Sequence, residues 1–413
     1  MLADLRPPKL VTDVAAEVHV AGGRALLVGG CVRDHVLRLP LKDWDIEVHG
    51  MEADALEPVL RRTGRVGMVG RAFQVFKVRR GELEIDVSLP RRDSKQGPGH
   101  RGILAVADPT LDITEAARRR DLTINAIMLD LHTGALIDPF GGLEDLRSGL
   151  LRPVDATTFL EDPLRALRAV QFAARFGFTA TPALTELCRA ASLDELPAER
   201  VQGEWFKLLL RGARLAPALT FAREAHITRR VFPGVQDELT ADELDRALPA
   251  RDPGLHEGRA LALMLLVWLH RSPPAAVAEA LDRLGVFTWL NYPLRDAILT
   301  ALAAWDAPTA TDAELRWLST RAEPGLVLRA RAAAGDLTAD AAFDQARALG
   351  VLTEKPAPLV LGRDLIALGI KPGPAMGKAL QALYAQQLDG AWFSREDALQ
   401  AAQVEVARVT APP

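Results

Sequence analysis

Cysteine is almost absent from this chain: its 413 residues include two, Cys31 and Cys188. They lie far apart and beside no His/Cys cluster, which excludes a disulfide framework and a structural zinc site. Both are read as packed thiols. Long hydrophobic runs are missing as well, since no apolar stretch approaches the ~20 residues that cross a bilayer. Membrane insertion is not expected. The opening MLADLRPPKLVTDVAAEV has no basic segment followed by an apolar one, so no secretory signal is read there and a cytoplasmic protein is expected. An excess of positive charge is also lacking. A net charge of −4 excludes a uniformly basic, histone-like nucleic-acid binder, and any polyanion must meet a local patch. No internal repeat occurs, and no G-x-G-x-x-G follows a strand signal, which sets aside a dinucleotide-binding oxidoreductase.

What is present is a hydrophobic fraction of 49% with 25% charged residues, the balance of a globular protein. The length is too great for one ordinary core and predicts two to four packed units. The first ~150 residues alternate strand and helix signals: ALLVGG as a buried strand ended by glycines, VRDHVLRL as a helix, WDIEVHG as an alternating strand, and QVFKVRRGELEIDVSLP as a hairpin. After GLLRPVDATTF, Ala/Leu/Arg-rich stretches with apolar residues three and four apart run to the end, so the remainder should be almost wholly helical. The class is α+β. Pro/Asp-rich ALPARDPGLHEG and LTEKPAPLVLG are candidate joints between helical bundles. The terminal TAPP should fray.

The stretch LLVGGCVRDHVLRLPLKDWDIEVHG, residues 26–50, concentrates the chemistry. Gly29 and Gly30 between a strand and a helix leave backbone N–H groups free at a helix start, a place for phosphate; a plain glycine turn is the alternative. Asp43 and Asp45, one residue apart in an expected strand, put two carboxylates on one face. They repel unless a cation lies between them, and beside a phosphate loop that favours a magnesium site for a nucleoside triphosphate. A solvated strand face is the competing explanation. Asp86, on the next expected strand, joins the cluster or acts as base. Asp162, Arg165 and Arg168 recur at three-residue spacing and are expected on one helical face. An acid and an arginine so placed can read a base: cytosine and adenine both present an amino group beside an unprotonated ring nitrogen, which Asp162 and Arg165 match as acceptor and donor. Uracil and guanine present the reverse pattern. Here the alternative is an i, i+3 surface salt bridge, worth ~0.2–0.5 kcal/mol.

The motifs LVGGCVRD, LKDWDIEV, ARRRDLTINAIMLD, DPFGGLEDL and LEDPLRALRAVQFAARF together resemble, in order and spacing, the class II tRNA nucleotidyltransferase and bacterial poly(A) polymerase family. The likeness covers roughly residues 26–178. PAERVQGEWFKLLL is similar to that family's neck helix, and LVLGRDLIALGIKPGPAMGKAL to its tail. The resemblance implies a polymerase-β-like nucleotidyltransferase head over residues 1–150. A helical neck over 151–215, a body over 216–350 and a tail over 351–413 would follow.

The activity it implies is template-independent addition of CMP and AMP, from CTP and ATP, to a tRNA 3′ end, with Mg²⁺ held by Asp43 and Asp45. Gly29, Gly30 and Arg33 would contact the triphosphate, and Arg119, Arg120, Asp121 and Asn125 the ribose and phosphates. Asp162, Arg165 and Arg168 would serve the base and nucleotide. Leu122 stands where the family commonly has Phe. The interval holding RRDSKQGPGHRG matches the family's flexible loop at full length, which speaks against a CC-only enzyme. GIKPGPAMGK, residues 369–378, would contact RNA backbone; a helix-connecting turn is the alternative. The paired His-Asp motifs of some relatives' phosphohydrolase domain are missing, since His256 is followed by Glu257 and His270 by Arg271. An A-adding specialist or a poly(A) polymerase would use the same residues, and a catalytically silent RNA-binding protein is the alternative of another class. DNA is not an expected partner.

Overall fold

A computed structural model describes residues 5–41, 43–69, 75–95, 103–251 and 256–410. The chain divides into two compact units, Met1–Pro233 and Gly234–Pro413.

The first unit is built on a mixed sheet. Its described strands are β1 (Arg24–Val28), β2 (Asp45–His49), β3 (Arg65–Val69), β4 (Val75–Arg80), β5 (Leu83–Ser88), β8 (Met128–Asp130) and β9 (Leu136–Ile137), in the order β3-β4-β5-β2-β1-β8-β9. Between them, β6 (Arg91–Lys95) and β7 (Ile103–Ala107) form a separate antiparallel pair. The loop expected around RRDSKQGPGHRG falls largely on residues 96–102, outside the described residues. β4 and β5 make the expected hairpin. The β2–β5 pairing is parallel, with Asp45 opposite Asp86.

Alternation along the central strands separates two faces. Ile46, Val48, Phe76, Val78, Ile85 and Val87 are buried on the side where helices belong, and α1 (Lys9–Val20) packs on β1 while α3 (Ala53–Arg61) packs on β3 and β4. α1 contributes Leu10, Val11, Val14 and Val18, spaced to share one helical stripe. The other face carries Asp45, Glu47 and His49. α2 (Gly30–Val36) and α4 (Ile113–Arg118) lie between strands in the chain, and the next five helices follow the sheet. Those helices are α5 (Gly142–Ser148), α6 (Ala156–Glu161), α7 (Leu164–Phe176), α8 (Pro182–Ala190) and α9 (Ala198–Arg211).

The second unit is helical throughout its described residues. Its helix Glu257–Leu269 is buried from Ala260 to Leu269. A helix apolar on all sides is a core helix, so LMLLVWLH is core. Farther on, Val360, Leu365, Ile370, Leu383, Trp392 and Ala398 close a further apolar cluster. GIKPGPAMGK turns at Gly369 (φ 98°) into a helix with Pro374 at its first position, which suits a ring that has no N–H to lose. Residues 411–413 of the fraying expectation lie outside the described residues. Among the described residues no helix is long and apolar enough to cross a membrane.

Candidate active site

Three strands bring charged groups into one row. Asp45 on β2 is level with Asp86 on β5, and Asp86 is level with Lys77 on β4. Lys77 Nζ lies 3.2 Å from Asp86 Oδ1 and 2.6 Å from Glu84 Oε1. Asp43 corrects one expectation: β2 begins at Asp45, and Asp43 precedes it as an exposed residue. Strand alternation therefore does not pair the two acids. They meet instead as walls of one cavity of about 470 Å³.

Burial, and then the neighbouring Asp86, push the Asp45 carboxyl up to about 6, with Asp43 adding to the shift and Arg120 opposing it. A carboxylate raised by other carboxylates is a position that a cation would favour. The donors are oxygen alone. That suits a hard divalent ion completed by water or ligand oxygens. Among the described residues no three His, Cys, Asp or Glu side chains converge into an all-protein cage.

Beside the acids, Gly29 turns the chain from β1 into α2 with φ 74° and ψ −135°, a region that glycine alone enters freely. A Cβ there would stand 3.4 Å from Arg120 Nη1 and 3.7 Å from Asp45 Oδ2. The backbone thus passes close to both charges. Arg33, four residues on, is buried and held on several sides. Its Nε donates to Asp34 Oδ1 at 2.7 Å, its Nη1 donates to Asn125 Oδ1, and its guanidinium lies 5.1 and 4.9 Å from the rings of Phe172 and Phe176.

The arginine triplet is not a solvated face. Arg118 pairs with Glu115, but Arg119 Nη2 donates to Glu47 Oε2 at 2.9 Å and Arg120 Nη2 lies 3.8 Å from the same oxygen. Glu47 is 1% exposed. Burial raises its proton affinity, yet the His49 hydrogen bond and the two guanidinium groups more than offset this and hold it at about 2. Asp121 is built alike. Its Oδ1 accepts from Asn125 Nδ2 at 2.8 Å and from the Leu122 N–H at 2.9 Å, while Oδ2 accepts from Arg168 Nε at 2.8 Å. Burial is again overridden, chiefly by Arg168 and then by Asn125, and the carboxyl sits at about 2.

Asp162 corrects a second expectation. It closes α6 in an extended conformation (φ −117°, ψ 101°), and α7 starts only at Leu164. Pro163 explains the break, because the residue before a proline is disfavoured in helical conformation. Arg165 and Arg168 share α7; Asp162 reaches the site from outside it. Nor do Asp162 and Arg165 form the i, i+3 salt bridge. Asp162 accepts from Arg200 Nη1 and Nη2 at 3.3 and 3.2 Å and from the Leu164 N–H at 3.1 Å. Arg165 donates to the Thr158 and Arg119 carbonyls at 2.7 and 2.5 Å.

A cavity of about 440 Å³ gathers these groups. Gly29, Gly30, Arg33 and Asp45 form one part of its wall, Arg120, Asp121 and Asn125 another, and Asp162, Arg165 and Arg168 a third. Of the site residues expected from the sequence, Asp43 lines only the adjoining cavity. Arg119 and Asp86 line neither. Sequence reasoning missed Glu47 and Arg200, which hold the arginines and Asp162, and it missed Arg175, Lys207 and Arg211 on the cavity wall. One signal was available. Glu204, Lys207 and Arg211 recur at three- and four-residue spacing along α9, where Trp205, Leu208 and Leu209 are buried, and polar residues at that period form a face.

Residues 25–152 match the sequence profile of the Poly A polymerase head domain. A "Multifunctional CCA protein" of Stenotrophomonas maltophilia is 38% identical over 239 residues, 56% of this chain and 56% of that protein. The match thus spans little more than half the length of that relative. Among solved structures, a Thermotoga maritima CCA-adding enzyme complexed with tRNA aligns with TM-score 0.71 and 22% identity over 98% of this chain and 97% of its own. A Bacillus stearothermophilus CCA-adding enzyme in complex with CTP aligns with TM-score 0.65 and 25% identity over 98% of each.

Proposed function

We propose that this chain, whose residues 25–152 belong to the Poly A polymerase head-domain family, is a template-independent nucleotidyltransferase. It builds or repairs the 3′-CCA of tRNA from CTP and ATP in the cytoplasm. The observation that carries the reading is a fixed acceptor–donor pair, Asp162 and Arg165, facing the same cavity as the Gly29 turn and Asp45. Catalysis and base choice then need no template strand. The head, neck, body and tail correspond in this reading to residues 1–150, 151–215, 216–350 and 351–413.

Asp43 and Asp45 would hold Mg²⁺, which when bound stabilises charge on the α-phosphate and the departing pyrophosphate and favours the ionised 3′-hydroxyl. The residues themselves position and exclude. Gly29 and Gly30 offer backbone N–H groups to the triphosphate, and Arg33, held against two phenylalanine rings, presents a fixed charge beside them. Arg120 and Arg168 serve the phosphates, and Asp121 with Asn125 serves the ribose. Arg119 stiffens this wall from behind, through Glu47 and its own carbonyl on Arg165. Asp86 joins the acid cluster or takes the proton. In the transfer itself, the RNA 3′-oxygen bonds to the α-phosphorus while the bridging α–β P–O bond breaks. The bond's electron pair leaves with pyrophosphate, and the hydroxyl proton passes to a carboxylate or to water.

Selection follows from hydrogen-bond capacity. A carboxylate has about four acceptor positions and a guanidinium five N–H donors. Asp162 engages three donors within the protein and keeps one position for the amino group of cytosine or adenine. Arg165 offers the matching donor to the ring nitrogen. Uracil and guanine would leave both groups opposed to their like, a mismatch that rejects a ligand by about 10⁴.

The test offers the purified protein tRNA transcripts ending before CCA, after C and after CC, with Mg²⁺ and each labelled nucleotide. Two C additions and one A, then a stop, is the expected result. Addition of A to the CC-ending transcript alone marks an A-adding specialist, long A tails a poly(A) polymerase, and no incorporation a silent RNA-binding protein.

A further inference from the structure

Arginine and lysine dominate the wall of the cavity that holds Asp162 and Arg165, and all but one are held by partners. Asp34 takes Arg33 and Arg175. Arg168 is held by Asp121 and Lys207 by Glu204, Arg120 lies against Glu47, and Arg165 is anchored on carbonyls. Arg211 is the exception: among the described residues no carboxylate or carbonyl lies within bonding distance of it.

Its place in the fold is specific. It is the last residue of α9, and it lines both cavities, as Gly30, Arg33, Asp45 and Arg175 also do. The cavity lined by Asp43 contains neither Asp162 nor Arg165. Arg211 therefore stands where the two cavities adjoin, and it shares both walls with Gly30 and Arg33 while Asp162 and Arg165 belong to one cavity alone. A cation at a helix C-terminus is favoured by the macrodipole. That preference explains the residue type but not its place among other cations. Arg33, Arg175 and Lys207 on the same walls each have a carboxylate partner, which leaves Arg211 the cation there best able to meet an entering anion.

We infer that Arg211 binds the distal phosphates of the incoming nucleoside triphosphate, and the pyrophosphate that leaves, from the junction of the two cavities. The assignment rests on the nucleotidyl-transfer reading of the same site. It makes Arg211 a discriminator of phosphate number, with no part in choosing the base.

Equilibrium titration of the intact protein with CTP, CMP and inorganic pyrophosphate, in Mg²⁺ and without RNA, tests it. Arg211→Ala should weaken CTP and pyrophosphate by about tenfold, the loss of one charge-assisted contact, and leave CMP unchanged. Arg211→Lys should recover part of the loss. Unchanged CTP binding in Arg211→Ala would overturn the assignment. Equal losses for CTP and CMP would overturn it too, marking a structural role. A wild-type protein that binds CTP no better than UTP and no better than CMP would fail the nucleotidyl-transfer reading itself, and this assignment with it.

Discussion

Two helices of 13 residues, Leu164–Phe176 and Glu257–Leu269, have nearly opposite designs. Both are rich in Leu and Ala. The first buries an apolar stripe and sets Arg165, Arg168, Gln171 and Arg175 at three- and four-residue intervals along a cavity wall. The second is buried from Ala260 to Leu269 and presents no ionisable side chain over that span. The contrast shows what a cavity-lining helix requires: a face given to polar groups needs partners from elsewhere, and Asp121, Asp34 and two backbone carbonyls supply them here. The core helix needs only volume.

Substitutions on the two sides of this contrast should separate activity from stability. The largest effect is expected at the acids. Asp45→Ala should lower nucleotide transfer about a thousandfold or more, as loss of a group that stabilises developing charge does. Its thermal transition should stay near that of the wild type; transfer assays beside melting curves check both. In the core helix the pattern should reverse. Trp268→Ala, at a position 0% exposed, should cost about 3–5 kcal/mol of stability in denaturant titration and leave base selection by the folded fraction unchanged.

A smaller, pH-dependent effect belongs to Asp121. Its carboxyl is held at about 2 in the folded protein, below the unfolded value of about 3.9. A depressed carboxyl stabilises the fold above the unfolded value, and the contribution, about 2 kcal/mol, is lost as pH falls from about 4 toward 2. Melting curves of wild type and Asp121→Asn from pH 6 to 3 should therefore show a gap that is constant at the upper end and narrows below about pH 4. The smallest change is expected on the surface. Asp344→Ala, which removes an exposed i, i+3 pair with Arg347, should shift stability by less than about 0.5 kcal/mol in the same melts.

Much of this architecture is legible in the chain. The strand at Arg24–Val28, the hairpin at 75–88 and the helical remainder follow from periodicity, because apolar spacing is a local property. The Gly29 turn is legible for the same reason. Asp43 misled because a D-x-D pattern looks like alternation, whereas the ladder with β1 begins at Asp45, opposite Val28. Asp162 misled because its three-residue spacing to Arg165 outweighed the proline that follows it. Glu47 and Arg200 were out of reach for a different reason. Glu47 meets Arg119 across 72 residues and Arg200 meets Asp162 across 38, and no local period encodes which distant segments the fold brings together.

The central claim is that a protein pair, not a template, chooses the base. Its most direct test is the ratio of C to U incorporation on a tRNA ending before CCA, measured for wild type, Asp162→Ala and Arg165→Ala. The account predicts a wild-type preference for C of about 10⁴ that falls steeply in both variants while binding of the tRNA holds. An undiminished preference in either variant would contradict it.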